Sequence, residues 1–147
     1  MKSILEENSF NEIKNRLSQL QEDTPRQWGK MTPAQMACHC QGPLNIMLQK
    51  EDYGLTPNWL VNLLFKKSMY SDKLWRKNLP TVKIFKQTED KNFEQEVTKL
   101  NSLINELGGQ LDRDSWGKHP AFGDMTNEQW GKMQYKHLDH HLRQFGL

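Results

Sequence analysis

"MTPAQMACHC", residues Met31 to Cys40, reads as the opening of a helix that carries a histidine inward. Thr32 stands as N-cap, Pro33 fills the first helical position, where its missing N–H is no loss, and Gln35 follows the cap by three residues, as a capping box requires. Past that start, Met36, His39, Pro43 and Ile46 fall on one helical stripe, which predicts His39 on the core side. Pro43 withholds a hydrogen bond from the carbonyl of residue 39 and its ring crowds that carbonyl, so the helix is expected to bend or loosen at the histidine.

The phrase returns near the end of the chain as "MTNEQW" from Met125, again with a threonine cap and a glutamine three residues later. The two stretches diverge after six residues and no fixed period runs through the chain, so two helices begin alike without forming a tandem repeat. Upstream, Phe10, Ile13, Leu17 and Leu20 step by threes and fours and predict a first helix over Asn8 to Leu20. In "TEDKNFEQEVTKLNSLINELGG", from Thr88, one face collects Phe93, Val97, Leu100, Ile104 and Leu107, and Gly108 and Gly109 are available for a left-handed C-cap. The segment from Lys50 to Val82, with Gly54, Pro57 and Pro80 around a short apolar piece, reads as a short helix and a long connection. No alternating strand pattern occurs. The expected architecture is all-α: a four-helix bundle with one or two long crossover connections, a single domain spanning residues 1–147.

Composition narrows the function. Twenty Lys and Arg against eighteen Asp and Glu leave a formal charge of +2, and no basic run is interleaved with aromatics as a nucleic-acid groove requires, so no nucleic-acid partner is expected. The longest strongly apolar stretch, "WLVNLLF" at Trp59 to Phe65, is far short of the ~20 residues that cross a bilayer, and no membrane partner is expected. The N-terminus turns acidic at Glu6 and Glu7 before any long apolar segment, unlike a signal peptide, which places the chain in the cytoplasm. Two cysteines, Cys38 and Cys40, are too few for a disulfide scaffold and are read as reduced thiols.

Three of the five histidines fall in "HLDHHLRQFG", His137 to Gly146. His137 and His141 are four apart, so their imidazoles project from one helical face about a turn apart, a spacing at which two can chelate one ion. Tyr135, Leu138, Leu142 and Phe145 form an apolar stripe on an adjacent face, which favours His141 over His140 and leaves His140 on the rim. Such a pair alone is most often a solvated or hydrogen-bonded one. With a core-facing His39 on a separate long helix it becomes a candidate triad, because bundles build metal sites from side chains on facing helices.

A helix carrying "MTPAQMACHC", a long middle and a last helix ending "HLDHHLRQFG" resemble the DinB-like superfamily, whose members present one histidine from helix two and an HxxxH pair from the last helix. Within it, "HPAFGDMTNEQW" followed by "YKHLDHHLRQFG" resembles a branch known only as a domain of unknown function. The likeness implies His39, His137 and His141 as ligands of a divalent metal ion, zinc or nickel. It also implies an enzyme acting on a small-molecule substrate, a transferase using a low-molecular-weight thiol or a hydrolase. Three imidazoles leave further positions open for water or substrate, as in catalytic sites.

Other residues carry weaker readings. His119, before Pro120, is expected to order the loop into the last helix, or to reach the site if that loop covers it. Trp28 and Trp130, each opening a "WGKM", are read as core, with a place above a metal as the alternative. Asp139 points away from the histidine face and is read as a solvated charge, as are Lys66, Lys67, Lys73, Arg76 and Lys77. No general base stands at a predictable spacing from the histidines. The rival to the enzyme is a non-catalytic helical module that forms a homodimer or binds a partner through the methionines of the second helix, Met31, Met36 and Met47.

Overall fold

The computed structural model describes residues 1–147, the side chain of Val61 excepted. The chain is all-helical, and among the described residues there is no strand, only an isolated bridge between His119 and Gly123. Helices α1 (Glu7–Leu17) and α2 (Pro33–Met47) are followed by an irregular helical segment made of α3 (Trp59–Val61), a π-helical stretch (Asn62–Lys66) and α4 (Lys67–Tyr70). A 3₁₀ turn (Lys83–Phe85) precedes α5 (Phe93–Gly108) and α6 (Asn127–Gln144).

The two matching start signals make matching caps. The Thr32 hydroxyl accepts from the Gln35 N–H at 3.2 Å while the Gln35 side chain accepts from the Thr32 N–H at 3.0 Å, and Thr126 and Gln129 repeat both bonds at the same lengths. Each box satisfies a donor that the first turn leaves without a helical partner. α2 runs through Pro43 without interruption.

One continuous core joins the four longer helices, built from Ile13 and Leu17 of α1, Met36 and Leu44 of α2, Leu100 and Leu107 of α5, and Leu138 and Leu142 of α6. α2 packs against α5 and α6, and α6 also packs against α1 and α4. α1 ends three residues earlier than its periodicity suggests, with Leu20 buried just beyond it.

Three expectations are corrected. Gly109 caps α5 at φ −75°, so no left-handed cap forms there. Gly108 is needed for another reason: a Cβ on it would stand 2.5 Å from the Phe10 ring, so its hydrogen is what lets α1 approach. Asp139 is not solvated, because Arg16 on α1 reaches it at 2.8 Å and the pair is largely buried. Met36 and Met47 are buried in the core and present no surface to a partner.

The loop between α5 and α6 is organised by His119, as its place before a proline suggested. Its Nδ1 accepts from the N–H groups of Ala121 and Phe122 at 3.1 and 3.2 Å, and its ring lies 5.1 Å from that of Trp130. Burial, with Lys66 nearby, pushes its pKa down from 6.5 to about 4. A histidine whose folded pKa lies below its unfolded value stabilises the fold above the unfolded pKa, and that contribution is lost as pH falls from 6.5 through about 4. The depression corresponds to about 3 kcal/mol. Denaturant titrations of wild type and His119→Asn, in which the amide oxygen replaces Nδ1 as acceptor, are expected to show the wild type losing this much more stability between pH 7 and 4. Parallel pH profiles for the two would refute the assignment.

Candidate metal centre

α2 and α6 cross where His39 faces His137 and His141. The three side chains are 6–8% exposed, and one nitrogen from each lies within 4.8 Å of the others. The ring centroids are 4.7 to 5.1 Å apart. His137 and His141 share a face because they are one helical turn apart, and His39 meets them because its stripe is the one α2 turns toward α6.

Outer partners set which nitrogen points inward. His39 donates from Nδ1 to the Phe85 carbonyl at 2.8 Å, which leaves Nε2 as a lone pair. His141 donates from Nδ1 to the Gln144 side-chain oxygen at 3.0 Å, and the Gln144 amide is oriented by donating to the Trp28 carbonyl, also at 3.0 Å. Gly29 makes that approach possible: its φ is +78°, and a Cβ on it would stand 2.4 Å from the Gln144 amide nitrogen. The remaining ligand atom, His137 Nε2, lies 3.1 Å from His39 Nε2, while His137 Nδ1 is buried without a partner among the described residues.

These features fit a cation. With its proton committed to Phe85, His39 turns a lone pair toward His137 Nε2, and a neighbour so close must bring either a proton or a shared ion. The 3.1 Å separation is close to the ~3.3 Å between two nitrogens on a tetrahedral zinc-like ion. Burial lowers the pKa of all three: His141 to about 3, further depressed by His39; His137 well below the usual value; and His39 despite the opposing pull of the Phe85 carbonyl. All three are therefore neutral at physiological pH, the form that ligates.

Trp75 and Lys136, which no pattern in the sequence marks, stand beside the triad. The Trp75 ring lies 6.1 Å from His137 and 5.7 Å from His140, and Trp28 lies 5.8 Å from His140 on another side. Trp75 is fixed by its indole N–H donating to the Ser68 carbonyl at 3.0 Å. Below it, the buried Lys136 ammonium donates to the Ser68 and Ser71 carbonyls at 2.7 and 2.9 Å and to the Ser71 hydroxyl at 3.2 Å, tying α4 and its C-terminal cap to α6.

The other candidates separate. His140 is at the rim, half-buried between the two tryptophans. Trp28 belongs to this rim rather than to the core: it is half-buried with its ring beside His140, and its carbonyl orients the Gln144 amide. Trp130 is fully buried and donates to the Gly117 carbonyl, so it is core as expected. His119 is outside the triad, bound into its own loop. Cys40 is buried against Met36 and Cys38 is half-buried. Burial pushes both thiols up, away from the thiolate form that reacts.

The family model described as "Protein of unknown function (DUF1569)" matches residues 2–146, nearly the whole chain. The chain belongs to the DUF1569 family. No curated protein and no solved structure matches it. The matched span of this DUF1569 member takes in every residue of the triad and its supports, from Trp28 to Gln144.

Proposed function

We propose that this DUF1569 protein is a divalent-metal-dependent enzyme of the DinB-like type, a four-helix bundle in which His39, His137 and His141 hold a zinc or nickel ion. Its reaction is the transfer of a low-molecular-weight thiol to a small molecule, or a related hydrolysis. One observation carries the reading: three buried, neutral imidazoles from two helices converge, and the outer nitrogens of two of them are held by Phe85 and Gln144. The order of the ligands along the chain, one on the second long helix and an HxxxH pair on the last, supports the superfamily assignment.

When bound, the ion supplies Lewis-acid chemistry, lowering the pKa of a coordinated thiol or water toward neutrality. The chain's own residues hold and shape the site. Phe85 and Gln144 fix the ring orientations, and Trp28 and Trp75 flank His140, excluding water and offering flat apolar faces to a substrate. No carboxylate belongs to the cluster among the described residues, so all three of its ligands are uncharged and the bound ion keeps its full positive charge.

The test is the metal content of untagged protein purified without chelator, for wild type, His39→Ala and His137→Ala. Near-stoichiometric metal in the wild type, lost in both variants, is the expected result and opens a screen of thiols against electrophiles. Metal that is absent from the wild type, or retained by either variant, would remove the site and with it the enzyme.

A further inference from the structure

All of the large apolar side chains left exposed among the described residues lie between Trp59 and Ile84. Within the π-helical segment and its start, Trp59 is 76% exposed and Leu63 72%, with Leu60, Leu64 and Phe65 about half exposed or more. Folded monomers rarely gather such side chains in one place without a partner for them. The same stretch holds six of the chain's twenty Lys and Arg, namely Lys66, Lys67, Lys73, Arg76, Lys77 and Lys83, and only one of its eighteen acids, Asp72. Asp72 is itself engaged by the N-terminal ammonium and by Lys132. The remainder of the chain is net acidic.

The two properties sit together. Lys66 and Lys67 follow Phe65 directly, and the bond from the Trp75 indole to the Ser68 carbonyl folds the loop bearing Lys73, Arg76 and Lys77 back beside α4. Exposed Trp, Leu and Phe backed by Lys and Arg are the composition of an element that lies in the interface of a bilayer. We infer that residues 59–77 dock this protein peripherally on an anionic lipid surface, the apolar side chains entering the acyl boundary and the cations meeting the headgroups.

Charge selects this occupant. A second copy of the chain, packed face to face across a two-fold axis, would bring two basic clusters together, and like charges across an interface oppose association. A bilayer carrying anionic lipid attracts them. Side chains exposed to 70% or more also protrude instead of lining a groove, and a fluid acyl layer needs no complementary shape. Among the described residues no helix is long and apolar enough to cross a membrane, and lying on one requires no such helix. The expectation of no membrane partner rested on that length alone.

The experiment is co-sedimentation of the full protein with vesicles of phosphatidylcholine alone and of phosphatidylcholine with 30% phosphatidylglycerol. Binding to the anionic vesicles is expected, weakened by salt, with little to the neutral ones. Lys67→Glu/Lys73→Glu is expected to lower the partition coefficient by about fivefold or more per cation removed. Trp59→Glu/Leu63→Glu is expected to abolish binding while leaving the circular dichroism spectrum unchanged, since both side chains are in solvent. Equal binding to both vesicle types, or retention by the Trp59/Leu63 variant, would overturn the proposal. So would absence of vesicle binding together with a dimer in light scattering that the same variant dissolves. None of these readouts depends on the metal centre.

Discussion

Adding excess zinc or nickel to chelator-stripped protein is expected to raise the midpoint of thermal unfolding by about 10 °C. An ion that binds only the folded chain adds about 2.7 to 4.1 kcal/mol of stability when its free concentration is 100 to 1,000 times its dissociation constant. In a domain of this size each kcal/mol moves the midpoint by about 3 °C. His39→Ala and His137→Ala, each compared with and without ion, are expected to show no rise, since each removes one of three nitrogens from the cluster. Gln144→Leu gives a graded outcome: it keeps volume but cannot accept from His141 Nδ1, so the tautomer and ring angle are no longer fixed. Metal affinity is then expected to fall by 10- to 100-fold, on the order typical of lost outer-shell partners. A midpoint indifferent to metal in the wild type, or a rise of equal size in His137→Ala, would mean that the cluster is a hydrogen-bonded core feature.

The caps, the inward face of α2 and the His137–His141 pair were legible because each is a local pattern: a side chain three or four residues from its partner, repeated by helical geometry. What failed to show was whatever depends on partners distant in sequence. Phe85, which holds His39 across 46 residues, lies beyond the end of a segment readable only as a connection, and it acts through its carbonyl, which every residue possesses. Asp139 looked solvated because helical spacing shows which way it points and not that Arg16 waits there on α1. The two copies of "WGKM" make the same point. In the first, Gly29 turns at positive φ and Trp28 stays half-buried; in the second, Gly131 sits inside α6 and Trp130 is fully buried. One tetrapeptide takes two conformations because its surroundings decide, through the Gln144 amide at Gly29 and the N-terminal segment at Gly131.

Trp130→Ala is expected to destabilise the protein by about 4 kcal/mol, at the upper end for a core truncation. The side chain has no exposed surface, its indole N–H donates to the Gly117 carbonyl at 3.1 Å, and its ring lies against His119. Removing it opens a cavity, leaves that carbonyl without its donor, and frees the loop between α5 and α6 from the helix it leads into. Trp130→Phe separates the contributions: most of the apolar volume remains and the hydrogen bond goes, so a loss of about 1 to 3 kcal/mol is expected. Denaturant unfolding of both variants provides the measurement, and a Trp130→Ala loss below that of Trp130→Phe would show that packing does not dominate. The residue also stands seven positions before His137 on the same helix, about two turns away, so the folding energy collected at one end of α6 supports the site at the other. If α6 unfolds as one cooperative unit, metal bound at His137 and His141 recovers part of the stability lost in Trp130→Ala; if the two ends melt separately, the ion leaves that loss unchanged.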